Sequence, residues 1–323
     1  MMSTLFYFII QYGLAAEADH FSSQGIVLED AKPYINQNAN TYLEASIREF
    51  NHTEICENNP KSEIKVYKIL RKYFANHSKG QLVKDVLYGN EIPKHVINLK
   101  ESIYQNWSIR DGFLLGRKKA SQSPLALAPL VRLNEQTVST DKLEHLFGMG
   151  FKYFKNYYLK NKSLVRVLKK GNFLEKTALG GNVLATGVFS YADLSANFNG
   201  MRFWNHFFNY RDDILGSEYN LGPYLKCENG QLKKVKDIDL SLYFDESMDE
   251  SINCSKFATK SGLAKFNESL KKLNIDACQS PNTKLINLLQ KYDIPLNSHT
   301  LLSDWIFNLE GAQTVSYFNE FKN

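Results

Sequence analysis

The stretch LEKTALGGNVLATGVFSYADLSANFNGMRFW, residues 174–204, joins an acid, a glycine-rich turn and the start of a helix. Just before it, SLVRVLKKGNFLEK (163–176) sets Leu164, Val165, Val167, Leu168, Phe173 and Leu174 at helical spacing, with Lys and Arg opposite, which predicts an amphipathic helix. Gly171 weakens that helix without ending it. Leu179-Gly180-Gly181 should end it, because glycine takes the left-handed conformation at a helix C-terminus at little cost. Glu175 then falls in the last turn among Phe173, Leu174 and Leu179. Desolvation and the negative end of the helix dipole both disfavour an ionised carboxylate there. A general acid that keeps its proton near neutral pH needs such surroundings, although many helix-end carboxylates have no role at all.

Downstream, Ser190 followed three residues later by Asp193, ahead of Leu194, Ala196, Met201, Phe203, Trp204, Phe207 and Phe208, reads as a helix N-terminus. Asp193 is therefore either a capping residue or a group that meets substrate. A pair of carboxylates converging over a cleft is how glycosidic bonds are hydrolysed, and Glu175 with Asp193 is the candidate pair.

The flanks are consistent with an exported chain of one domain. Residues 1–18 read as a secretory signal, with an apolar run Leu5 to Ile10 before the small-x-small stretch Ala16-Glu17-Ala18; no Lys or Arg precedes the run, and a buried first helix is the alternative. No other segment approaches the about 18 apolar residues a membrane span needs. Residues 19–323 carry no linker or repeat, so a single compact domain, mainly α and monomeric, is expected. The net charge of +5 is spread along the chain, without the basic stripe that nucleic acid requires; it suits attraction to an anionic wall polymer. No cofactor is called for. Cys56, Cys227, Cys254 and Cys278 contain no closely spaced metal-binding pair, and in an exported chain they allow up to two disulfides with three full pairings.

Amphipathic helices are predicted at Asn40 to Phe50, Glu63 to Phe74, Gly80 to Tyr88 and Leu99 to Trp107, and irregular chain from Arg110 to Val138. A strong helix opens at Thr140-Asp141 and runs to Lys160, with Leu143, Leu146, Phe147, Phe151, Phe154 and Tyr158 as its apolar stripe. Asp141 and His145 lie one turn apart on it; with no third ligand near in sequence, a carboxylate orienting a histidine is preferred to a metal site. Gly216 to Asp237 reads as a surface excursion, and the acids Asp245, Glu246, Asp249 and Glu250 as a solvated helix face rather than a cation site. Leu263 to Leu273 and Lys284 to Tyr292 look helical again.

DKLEHLFGMGFKYF from Asp141, Glu175 with Gly180, TGVFSYADLSANFNGMRFW from Thr186 and ESINCSKF from Glu250 together resemble the lysozyme-like family that includes the deacetylated-peptidoglycan-specific lysozyme of predatory bacteria. The match covers residues 141–257. It implies an exported, largely helical lysozyme-like domain with a short loop or hairpin after the catalytic helix. It also implies an essential glutamate at Glu175 and glycan-strand hydrolysis. Glu144 stands where the family has glycine and Leu146 where it has an aromatic, which makes Glu144 a second candidate acid. The expected substrate set is Thr186, Ser190, Tyr191, Asp193 and Asn197, with Trp204 either stacking on sugar or packing in the core. Cys227 and Cys254, inside the matched span, are the expected disulfide. The expected partner is peptidoglycan, deacetylated strands included, whose ammonium groups Asp193 could pair. A lytic transglycosylase using the same glutamate, and a non-catalytic wall-binding or periplasmic protein, are the alternatives.

Overall fold

The computed structural model of the chain describes residues 16–117, 123–176, 182–278 and 283–315. Over these it is mainly α-helical, with short β segments. The first helices are α1 (Lys32–Thr53), α2 (Pro60–Leu70) and α3 (Gln81–Tyr88); the antiparallel hairpin β1 (Leu130–Leu133) and β2 (Gln136–Ser139) follows. The helix expected at Leu99 to Trp107 is only a 3-10 turn, Leu99–Glu101. Residues 140–159 form α4, in which α segments Thr140–Glu144 and Gly150–Phe154 alternate with π turns His145–Met149 and Lys155–Leu159. Then come α5 (Leu164–Lys176), the helical turn α6 (Asn182–Ala185), β3 (Val188–Phe189) and α7 (Tyr191–Asn205). The expected stop at Leu179-Gly180-Gly181 lies outside the described residues.

Every residue of α7 is buried, which makes it the axis of the molecule. A helix enclosed on all sides must satisfy its polar side chains internally. Ser190 caps it by accepting from Asp193 N at 3.2 Å, Ser195 Oγ donates to Ile306 O at 3.0 Å, and Asn199 Nδ2 donates to Tyr292 OH at 2.9 Å. The α4–α7 core pair forms as expected, and glycines set its closeness: a Cβ at Gly150 would stand 2.5 Å from Gly200 Cα, and one at Gly200 2.1 Å from Leu146 O. Phe147, Phe203 and Phe207 are fully buried there and Phe151 is partly buried. Each such aromatic contributes roughly 1.5–3 kcal/mol by leaving water. Trp204 belongs to this core, its Nε1 donating to Phe147 O at 3.1 Å, which removes it from the candidates for sugar stacking.

The presumed surface excursion contains the hairpin β4 (Leu225–Glu228) and β5 (Gln231–Lys234), whose Leu225 and Leu232 join the core. That hairpin carries Cys227 to the α1–α2 connection, where Cys56 N donates to Gly230 O at 2.8 Å. The bridges are therefore Cys56–Cys227 and Cys254–Cys278, which corrects the expected Cys227–Cys254 pair. Their sequence separations of 171 and 24 correspond to about 5 and about 3 kcal/mol in the chain-entropy model. The remaining elements are β6 (Lys256–Phe257), α8 (Lys260–Lys272), α9 (Thr283–Tyr292), the one-turn α10 (Ser303–Ile306) and β7 (Gln313–Thr314); β6 lies between β3 and β7. Among the described residues no helix is long and apolar enough to cross a membrane. Ala16, Glu17 and Ala18 are buried, with Glu17 N donating to Ala126 O at 3.0 Å, so the cut expected after Ala18 falls inside a packed segment; residues 1–15 lie outside the described chain.

Candidate functional site

Glu175 lies in the last described turn of α5, as its sequence surroundings require, but its side chain is turned inward and only 6 % exposed. One turn earlier Gly171 makes room for Tyr153, whose hydroxyl would sit 1.6 Å from a Cβ at that position. Burial raises the Tyr153 phenol, and the Glu175 charge raises it further. Glu175 also favours the charged form of His145, so it faces the α4–α7 seam.

That seam holds a buried charged centre. Lys142 Nζ donates to Asp141 Oδ2 at 2.9 Å, to Glu250 Oε1 at 2.6 Å and to Asp193 Oδ1. His145 Nε2 lies 3.1 Å from Asp193 Oδ2 and 3.6 Å from Asp141 Oδ1, and its Nδ1 is 2.9 Å from Asn197 Oδ1. Ser190 Oγ donates to Glu250 Oε1 at 3.2 Å. Burial opposes the Lys142 charge, yet Asp141, Asp193, Glu250 and Glu17 outweigh it and raise the lysine well above its ordinary range. Burial likewise opposes the His145 charge, but Asp193 and Asp141 lift that histidine to about 10. Burial raises the Asp141 and Glu17 carboxyls; Asp193 is held low because His145 and Lys142 overcome its burial. Within this group, Asp141, His145 and Asp193 each offer one ligand atom within 4.8 Å of the others, which supplies the third member that sequence spacing lacked.

A cleft of about 530 Å³ opens at the α5 end, and Glu175 is not among the described residues that line it. Asn172, Phe173 and Lys176 of α5, Tyr191 of α7, Lys256 of β6, and Asp304, Trp305, Asn308 and Glu310 near the C-terminus line it. Tyr191 is the only residue of the expected substrate set there. Lys256 Nζ is 5.6 Å from its ring centroid and 3.1 Å from Glu310 Oε2. Burial, and Lys256 nearby, depress Lys176 to about 8.

Asp193, Asn197, Ser190, Asp141 and His145 converge, but around Lys142 and away from the cleft. Asp193 gives its backbone N–H to the Ser190 cap and its carboxylate to Lys142, so it is committed inside the protein. Thr186 is buried in the turn before β3, its Oγ1 accepting from Val188 N at 3.3 Å, with its carbonyl against Gly112. Glu144 is buried beside a different residue, His77, whose Nδ1 is 2.8 Å away. Glu250 and Asp245 do not form the solvated face read from sequence: Glu250 is buried against Lys142, and Asp245, half-buried at the start of the 3-10 turn Glu246–Met248, pairs with Lys291 at 2.6 Å. Sequence reasoning missed Lys142, although it precedes Leu146 by one turn on the same inward face. No family model, curated protein or solved structure matches the chain.

Proposed function

We propose that the protein is an exported glycan-strand hydrolase of peptidoglycan on a lysozyme-like helical scaffold, with Glu175 as its general acid. The observation that carries this is the cleft at the end of α5: Asn172, Phe173 and Lys176, which flank Glu175, line it together with Tyr191 and Trp305. Aromatic faces stack on sugar rings, and amides fix hydroxyls. Glu175, whose carboxylate is turned inward behind these residues, would protonate the departing oxygen on rotating into the cleft, and Asp304 or Glu310, which line it, would stabilise the oxocarbenium ion or hold a water. Lys169, Lys176 and Lys256 make the cleft cationic, which favours strands whose stem peptides present free carboxylates. Asp193, bound to Lys142 and His145, is not placed to pair the ammonium of a deacetylated sugar. Affinity for such anionic strands should fall as pH rises through about 8, where Lys176 loses its charge. The two disulfides support export.

Mass spectrometry of soluble material released from intact and deacetylated sacculi tests the function. Hydrolysis yields reducing-end muropeptides from intact sacculi, and lytic transglycosylation yields 1,6-anhydro ends. The inward position of Glu175 favours a second reading, a non-catalytic glycan-binding protein. Retention on sacculi with no product released would establish that one instead.

A further inference from the structure

We propose that Asp141, His145 and Asp193 form a binding site for a divalent cation of the zinc class, which ties α4 to α7. The proposal rests on how each side chain divides its atoms. Asp141 gives Oδ2 and Asp193 gives Oδ1 to Lys142, leaving Asp141 Oδ1 and Asp193 Oδ2 to face His145 Nε2 at 3.6 and 3.1 Å. A tetrahedral ion with bonds of about 2.0–2.1 Å spaces its ligands about 3.3 Å apart, between those two distances. Asp141 Oδ1 is buried and lacks any hydrogen-bond partner, and His145 Nε2 is buried with both carboxylate oxygens in front of it. On the far side of the ring, Nδ1 meets the amide oxygen of Asn197 at 2.9 Å. An amide oxygen only accepts, so Nδ1 carries hydrogen and, in the neutral ring, the lone pair is left on Nε2, where two carboxylate oxygens point. A metal-bound imidazole is oriented in this way by its neighbours, and Lys142 gives both carboxylates the same kind of support.

The wider balance of charge agrees. Glu17, Asp141, Asp193 and Glu250 surround Lys142 and His145, so four acids share two basic groups, and a divalent ion would add positive charge among them. The π turn His145–Met149 begins at the ligating histidine; such insertions often mark functional positions. Two ligands on α4 and one on α7 would make the ion a rivet across the seam. It would lie in the packed interior, away from the cleft, and the site does not depend on the hydrolase reading.

The test uses the full-length disulfide-bonded protein, dialysed against Zn2+ and freed of loose metal. Elemental analysis should find about one Zn2+ per chain. Removal with a strong chelator should lower the melting temperature, and returning Zn2+ should restore it. Co2+ in its place should give visible d–d absorption of a four- or five-coordinate site, and both the band and the stoichiometry should be lost in Asp141→Asn and His145→Gln. A wild-type protein that retains no metal, or that loses it with unchanged melting temperature, overturns the site. So does full stoichiometry in both variants. If the variants do not fold, the metal content, melting shift and Co2+ spectrum of the wild type decide alone, since His145 held by a proton instead of an ion gives none of the three.

Discussion

The two ends of the central helix hold buried charge in opposite ways. At its C-terminal end Arg202 donates to Asp213 through Nε and Nη2, both at 2.9 Å, to Asn199 Oδ1 at 2.8 Å and to Tyr219 O at 2.7 Å, and His206 Nε2 lies 2.6 Å from Asp213 Oδ2. Cation and anion close on each other, and His206 Nδ1 passes the network on to Tyr243 OH at 2.8 Å. At the N-terminal end one ammonium serves three carboxylates, while Asp141 Oδ1 and Glu250 Oε2 stay buried without hydrogen-bond partners. A closed network is sufficient to explain the first arrangement as a structural clamp, whereas the second retains ligand atoms that structure alone does not use.

The largest expected effects separate the two ends. Asp213→Asn strands Arg202, and Lys142→Met strands three carboxylates; each should cost about 3–5 kcal/mol in urea unfolding. Asp141→Asn, measured in chelator, should cost under about 1 kcal/mol, because it removes one of several acids crowded round Lys142 and keeps an oxygen that can accept from Nζ. A cost equal to that of Asp213→Asn would erase the distinction. Next in size is Gly200→Ala at the seam. The new Cβ meets backbone on both α4 approaches, so a loss of about 1–3 kcal/mol is expected. An unchanged stability would show that the helices are not held as close as described.

The smallest effect bounds the centre on its α4 side. Glu144 precedes His145 in sequence but faces His77, and its hydrogen bond is the main cause of the raised His77 pKa. For a raised histidine the stabilisation is fully present below the unfolded value of 6.5 and disappears as pH climbs through the higher folded value. Glu144→Gln should therefore cost under about 1 kcal/mol near pH 5.5 and almost nothing at pH 8.5. Thermal melts at the two pH values measure this, and a cost that grows with pH would contradict it.

Much of this was legible in the chain, and the rest was hidden for definite reasons. The Ser190 cap, the α4 stripe and the α4–α7 core pair follow from periodicity and capping chemistry, which are local. Lys142 was hidden because a lysine beside an aspartate ordinarily means a wet surface; only its phase relative to Leu146 pointed inward. Glu17 sits in a leader-like motif and Glu250 in an acidic run, and composition cannot show which acid a distant lysine will claim. The disulfides depended on where a hairpin docks, so nearness in sequence misled. Asp304, Trp305 and Glu310 reach the cleft from the chain's far end, and no spacing rule links them to α5.

The most direct measurement of the catalytic claim is turnover of purified sacculi by Glu175→Gln, with Glu144→Gln as the control. Glutamine keeps the volume of Glu175 but has no proton to give. The rate of muropeptide release should fall about 10²–10⁴-fold, with melting temperature and retention on sacculi unchanged and with Glu144→Gln close to the wild type. Release by Glu175→Gln at the wild-type rate would contradict the assignment, and loss of activity in Glu144→Gln alone would move the acid to α4.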